Sequence, residues 1–231
     1  MISIIVPTYN ERENITKLIP SVHKTLEEHE HEIVVVDDNS PDGTAEIVEE
    51  LSKEYPVNLI VRSGKLGLAS AILHGFYHAK GNILGVIDAD LQHPPECMRE
   101  LVEATSNGYD IAIGSRYTEN GEVAGWSRFR ALVSRVAVAL SKPLTDVKDP
   151  MSGYFFVKRG VIRDVSFKSI GYKLLLEILV KGSCNNVKEI PYTFKVRENG
   201  ESKLGIREYT DYLKLLCHLY SFKLKRLLHG R

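Results

Sequence analysis

Ile83-Leu84-Gly85-Val86-Ile87-Asp88-Ala89-Asp90-Leu91-Gln92-His93 joins a short apolar run to a polar cluster that opens with two carboxylates. The apolar run reads as a buried strand. Asp88 and Asp90 are two residues apart, so in an extended chain both point to one side, and Gln92 continues the alternation with a neutral oxygen. A hard divalent cation takes oxygen ligands grouped in this way and leaves positions open for substrate phosphates. Pro94-Pro95 then stops the strand. Taken alone, an acidic pair at a strand end is equally well a polar turn, and its neighbours have to decide.

Three more apolar runs precede it. Ile2 to Val6 is a β-branched run closed by Pro7, and Thr8-Tyr9-Asn10-Glu11 follows as a loop. Ile33-Val34-Val35-Val36 leads into Asp37-Asp38-Asn39-Ser40-Pro41-Asp42-Gly43, and Val57 to Val61 leads into Ser63-Gly64-Lys65-Leu66-Gly67. Between them, helical spacing of apolar residues covers 14–28, 44–53 (with Thr44 as N-cap) and 68–79. Strands alternating with helices build right-handed βαβ units and a mostly parallel sheet. Ligands of such sheets bind beyond the carboxyl ends of the strands. All four polar clusters fall at that end, which favours a site over four coincidental turns.

Each cluster has its own chemistry. Glu11, Asp37 and Asp38 are acceptors for ribose hydroxyls or base N–H groups, and Tyr9 can flank a base. Turn chemistry with Asn39 and Asp42 is the plainer reading of Asp37-Asp38. Lys65 among glycines can approach a phosphate. Neither a P-loop nor a G-x-G-x-x-G fingerprint occurs.

Further on, the pattern predicts a helix over 96–105, a strand over 109–114, a mobile polar loop over 118–127 with the only tryptophan, and a helix over 131–140. A polar turn at 146–153, a strand at 154–157, a helix at 173–180 and a strand at 187–197 interrupted by Pro191 complete this part. Residues 206–231 read as an amphipathic basic helix appended to a domain of residues 1–205. Its apolar stripe is interrupted by Lys214, Lys223, Lys225 and Arg226, which suits an interfacial helix at a membrane surface or a helix packed on the domain.

The net charge of zero hides an asymmetry: residues 1–110 carry 19 Asp and Glu against 8 Lys and Arg, whereas residues 111–231 carry 11 against 22. An acidic half suits a cation site and a basic half suits phosphates or a membrane surface. Nucleic acid is disfavoured, because the basic half has no recognisable binding motif. Three scattered cysteines fit a reducing compartment, and the N-terminus reads as no secretory leader.

The motifs Ile4-Ile5-Val6-Pro7-Thr8-Tyr9-Asn10-Glu11, Val35-Val36-Asp37-Asp38-Asn39-Ser40-Pro41-Asp42-Gly43 and Asp88-Ala89-Asp90-Leu91-Gln92-His93-Pro94-Pro95 resemble the family 2 glycosyltransferases of the GT-A fold. Within that family the chain looks most like the dolichol-phosphate mannosyltransferases. Gly114-Ser115-Arg116-Tyr117, Asp149-Pro150-Met151-Ser152-Gly153-Tyr154 and Arg197 with Ser202-Lys203 extend the likeness over most of residues 1–205. The resemblance implies a Rossmann-like mixed, mostly parallel sheet and GDP-mannose as donor, bound through Pro7, Tyr9, Glu11, Asp37, Asp38, Lys65, Asp88, Ala89, Arg197 and Lys203. It implies Mg²⁺ or Mn²⁺ on Asp88, Asp90 and Gln92, with Asp90, Arg116 and Arg130 as catalytic residues. The acceptor would be a polyprenyl (dolichyl) phosphate and the product a lipid-linked sugar donor for glycosylation. Some members continue into transmembrane helices and others borrow an anchor subunit. The expectation here is peripheral association with the cytoplasmic face of a membrane. UDP-glucose is the rival donor, and a receiver-type or non-catalytic nucleotide-sugar-binding domain the distant alternative.

Overall fold

A computed structural model describes residues 1–168, 171–195 and 206–228. Nine strands and eight α-helices alternate among them. Strands β1 (Ile2–Thr8), β2 (His31–Asp37), β3 (Val57–Val61) and β4 (Ile83–Val86) are parallel, with helices α1 (Arg12–Thr25), α2 (Thr44–Leu51) and α3 (Leu68–His78) as the connections. Every residue of β1 is buried, as expected for a central strand covered on both faces. Its side chains alternate: Ile2, Ile4 and Val6 join the core under α1, while Ile5 joins the core under α3.

The seven-stranded sheet has the order β3-β2-β1-β4-β7-β5-β8. Its far half consists of β5 (Ile111–Ser115), β7 (Phe155–Lys158) and β8 (Val187–Pro191). β7 runs antiparallel to both β4 and β5, and β8 is parallel to β5, so the sheet is mixed and mostly parallel. The chain lays down β1, β2 and β3 in one direction and returns to place β4 on the other side of β1. That reversal opens a crevice at the carboxyl ends of β1 and β4, the place where such sheets take ligands.

Helix α4 (Met98–Ser106), entered through a 3₁₀ turn at Pro95–Cys97, covers the α1 face, and α7 (Leu174–Lys181) covers the α3 face after the single turn α6 (Arg159–Ile162). A third cluster joins Val138 of α5 (Arg128–Ser141), Leu176 and Val180 of α7, and Leu215, Leu216 and Leu219 of α8 (Ile206–Leu228). The C-terminal helix is therefore docked along its inner face. Tyr212 and Tyr220 donate to the carbonyls of Ala137 and Leu140, both at 2.6 Å, which ties α8 to α5.

Three local expectations are corrected. The strand of the acidic pair ends at Val86, so Asp88 and Asp90 lie on a turn. Leu91 there takes φ 59, and the Gln92 N–H donates to Asp90 Oδ1 at 3.2 Å, so turn geometry groups these side chains. Thr44 is the first residue of α2 and does not cap it; Gly43 at φ 85 holds the cap position and Asp42 Oδ1 accepts from the Thr44 N–H at 3.0 Å. Residues 118–127 are partly ordered by pairing: β6 (Glu122–Val123) lies parallel to β9 (Thr193–Phe194) in a small second sheet. Two-residue strands have no period to read, and this one exists through a partner seventy residues on.

Candidate active site

Beyond the carboxyl ends of β1 and β4 lies a cavity of about 570 Å³. Its near wall is built by Pro7 near the end of β1, Tyr9 and Glu11 just beyond it, Asp38 after β2, Lys65 after β3 and Asp88, Ala89, Asp90 and Gln92 after β4. Its far wall carries Arg116 after β5, Arg130 and Val133 from α5, Lys173 at the start of α7, and Tyr212 from α8. Eleven residues expected at a site from sequence thus share one cavity. Three do not enter this description. Arg197 and Lys203 lie outside the described residues. Asp37 is fully buried and is not among the lining residues: its carboxylate accepts from the Thr8 hydroxyl at 2.9 Å, the Ser40 N–H at 2.8 Å and the Ser40 hydroxyl at 2.6 Å.

Asp38 is also held firmly. It pairs with buried Arg62, whose Nε lies 2.6 Å from Oδ1, and accepts from the Leu66 N–H at 3.1 Å. The Gly64–Gly67 loop is thereby pinned to the end of β2. Lys65 of that loop stands 4.2 Å above the Tyr9 ring, a cation–π contact. Glu11 accepts from the Asn14 amide at 2.7 Å.

The donor set of Asp88, Asp90 and Gln92 fits a hard cation. The Gln92 amide N–H₂ donates to the Lys195 carbonyl at 2.9 Å, so the carboxamide oxygen is the end left to act as a ligand. Asp88 packs against Gly153, where a Cβ would come within 3.0 Å of its Oδ2; the missing side chain makes room for the carboxylate. Two carboxylates and one amide oxygen suit Mg²⁺ or Mn²⁺ and leave coordination positions for phosphate oxygens. Leu91 is the only non-glycine, non-asparagine among the described residues with left-handed φ, and that strain, on the order of 1–2 kcal/mol, sits in the middle of the set.

His93 lies behind these residues, 2 % exposed, stacked on Tyr154 at 5.2 Å and edge-on to Phe194 at 5.4 Å. Burial pushes its imidazole down to about 4 against the opposing pull of Asp90. The ring is neutral near pH 7, so its 3.8 Å approach to Asp88 is no ion pair.

Arg116 is held by Asp149. Its backbone N–H donates to Oδ2 at 2.9 Å, its Nε to Oδ2 at 2.8 Å and its Nη2 to Oδ1 at 2.8 Å. Burial works against the charge, but Asp149 overrides it and raises the guanidinium above its ordinary value. Three N–H hydrogens remain, on Nη1 and Nη2. Glu189 of β8 supports the pair, accepting from the Ser115 hydroxyl at 2.8 Å and the Asp149 N–H at 2.9 Å. Trp126 lies beneath both cations, 5.5 Å from Arg116 and 4.5 Å from Arg130.

Sequence reasoning assigned no role to Asp149, Glu189, Trp126 or Lys173. Asp149 stood in a quoted motif, which is a usable signal; Glu189 and Lys173 had none. Lys173, partly buried, lines the cavity, and desolvation, then Arg116, draws its ammonium down to about 8.

An α/β sheet with an oxygen-rich cluster facing arginines across one crevice has the charge pattern that suits a divalent ion and phosphate groups. Comparison with known proteins specifies it further. Residues 3–172 match the model of glycosyl transferase family 2, and the chain belongs to that family. It is 46% identical over 223 residues to a dolichol-phosphate mannosyltransferase of Pyrococcus furiosus, covering 95% of this chain but 62% of that protein. It is 39% identical over 235 residues to a dolichol-phosphate mannosyltransferase of Saccharomyces cerevisiae, covering 96% of this chain and 87% of that one. Among solved structures, glucosyl-3-phosphoglycerate synthase from Mycobacterium tuberculosis in complex with Mn²⁺, uridine diphosphate and phosphoglyceric acid superposes with a TM-score of 0.72 at 21% identity, covering 95% of this chain and 78% of that one. The same enzyme has been crystallised with Mg²⁺ and uridine diphosphate. These structures share the GT-A fold expected from the motifs.

Proposed function

We propose that the protein transfers mannose from GDP-mannose to a polyprenyl (dolichyl) phosphate with inversion, in a reaction dependent on Mg²⁺ or Mn²⁺. The observation that carries this reading is one cavity with carboxylates on one wall and arginines on the other. The two dolichol-phosphate mannosyltransferases similar to almost the whole chain support the acceptor and the sugar.

Tyr9, Glu11, Asp38 and Lys65 would hold the nucleoside, and Asp88, Asp90 and Gln92 the divalent ion. When bound, that ion supplies charge neutralisation for the departing nucleoside diphosphate. An acceptor phosphate has its second pKa near about 6 and is already largely dianionic, so no strong general base is required. One of its oxygens forms the new bond to the anomeric carbon as the bond from that carbon to the diphosphate oxygen breaks, which inverts the centre. Arg116, aimed by Asp149, and Arg130, backed by Trp126, position the acceptor. Val133, Ala137, Met151 and Tyr212 continue the cavity in apolar material suited to the first isoprene units.

Among the described residues no helix is long and apolar enough to cross a membrane. The outer faces of α5 and α8 expose Phe129, Leu132, Leu213, Leu224, Leu227 and Leu228, and they support peripheral attachment at the membrane that carries the acceptor. Attachment at the cytoplasmic face, with or without a small anchor subunit, belongs to the same proposal.

The test is sugar transfer to a short polyprenyl phosphate from GDP-mannose and from UDP-glucose in parallel, with Mg²⁺ or Mn²⁺. Mannosyl-phosphoryl-lipid from the native chain, lost with chelator and with Asp90→Ala, is the expected result. Product from UDP-glucose alone would replace the donor and keep the mechanism. No product from either donor would overturn the reading.

A further inference from the structure

Buried cations in this fold are given carboxylate partners. Arg62 pairs with Asp38, Arg116 with Asp149, and Lys181 with Glu177. Lys173, partly buried at the cavity wall, differs: among the described residues its ammonium has neither an ion pair nor a hydrogen bond. Its position is costly on balance. It occupies the N-cap position of α7, where the positive end of the helix dipole disfavours a cation. Arg116 and Arg130 add like charge, while Asp149 and Asp88 pull the other way without contact. Desolvation already lowers its pKa to about 8.

A side chain kept against such costs is accounted for by an anion that arrives with the substrate. Lys173 opens onto the same cavity as Arg116 and Arg130, beside the apolar stretch formed by Val133 and Tyr212. We infer that Lys173 is a third cation of the acceptor site and binds the phosphate monoester of the lipid together with Arg116 and Arg130. This rests on the reading of the site as one for a lipid phosphate. The diphosphate of the donor offers the same chemistry, and the experiment separates the two.

Binding to the full chain is measured by calorimetry in the presence of Mn²⁺, with a short-chain prenyl phosphate in one arm and GDP in the other. The variants are Lys173→Gln and Lys173→Arg, each with its thermal midpoint. Lys173→Gln should bind prenyl phosphate roughly ten- to a hundredfold more weakly, the range for one charge-assisted hydrogen bond, and GDP as the native chain does. Lys173→Arg should restore most of the loss. The melting temperature of Lys173→Gln should be equal to or above the native value, because a partly desolvated cation among like charges has gone. Loss of GDP affinity alone, unchanged affinity for both, or weakened binding of both with a lowered midpoint would each overturn the assignment. If the native chain binds prenyl phosphate yet transfers no sugar to it, the functional reading fails while the Lys173 result stands.

Discussion

Asp149→Asn removes one charge and keeps the shape. The carboxylate is fully buried and takes three N–H donors from Arg116, which is itself 9 % exposed. In the asparagine variant one of the two oxygens becomes an NH₂ facing a guanidinium N–H, donor against donor. The guanidinium cannot shed its proton to escape, so it remains a buried charge without its counter-ion. Removing one partner of a buried pair costs about 3–5 kcal/mol. For a chain of 231 residues each 1 kcal/mol is worth about 2–4 °C, so the midpoint should fall by roughly 6–20 °C. Differential scanning calorimetry at two salt concentrations is the assay, and the loss should persist at high salt because the pair is shielded from the solvent. Transfer should fall too, since Arg116 loses the clamp that aims it. The double variant Arg116→Met with Asp149→Ala separates the effects: it should recover much of the stability and none of the transfer. A single variant that melts within about 2 °C of the native chain would refute the reasoning, because a drop that small corresponds to an exposed pair.

Three further outcomes follow from the same geometry. Gly153→Ala places a methyl 3.0 Å from Asp88 Oδ2 and should weaken Mn²⁺ binding roughly tenfold or more, read by calorimetry, while the melting temperature stays close to native. His93 has a folded pKa of about 4 against about 6.5 unfolded, so the unfolded chain binds the extra proton in between and stability is lost as pH falls through that window. Between pH 7.5 and 5 the metal-free protein should lose about 2 kcal/mol from this group, and denaturant titrations of metal-free native and His93→Phe chains should diverge by that amount on acidification. Leu224→Glu with Leu228→Glu leaves the docked face of α8 intact and should abolish co-sedimentation with anionic liposomes; undiminished binding would remove α8 from the membrane contact.

The parallel half of the sheet was legible because each of its strands is centred on a short, mostly apolar run, and helical spacing separates one run from the next. The direction of β7 was not, since a short apolar strand looks the same either way and the chain before it, from Thr118 to Gly153, is long enough to reach either end of the sheet. The neighbours Asp37 and Asp38 show the limit at the site. As letters they are equivalent, yet one is spent on Thr8 and Ser40 behind the wall and the other stands in the wall pinned by Arg62. Arg62 itself follows a strand with nothing to mark it as the partner. Lys173 opens an apolar helix and reads as an ordinary N-terminal residue. Only the third dimension sets it beside two arginines encoded more than forty residues earlier.

The antiparallel β7 explains how the acidic and basic halves of the chain meet across one cavity. It lies between β4 and β5, which sets the acidic turn and Arg116 two strand spacings apart, roughly 10 Å, the room that the proposed transfer needs for a hexose. Because β7 is reversed, its start at Phe155, opposite Val86 and Ile113, lies at the cavity edge of the sheet. The turn that feeds it, Asp149 to Gly153, is therefore delivered into the gap, where Asp149 clamps Arg116 on one side and Gly153 yields to Asp88 on the other. A parallel strand in the same slot would bring Lys158 to the cavity and carry that turn to the opposite edge, roughly 13 Å away along four residues of strand. One short segment would then have lost contact with both walls. The single reversed strand is what lets five consecutive residues set Asp88 and Arg116 at a fixed separation.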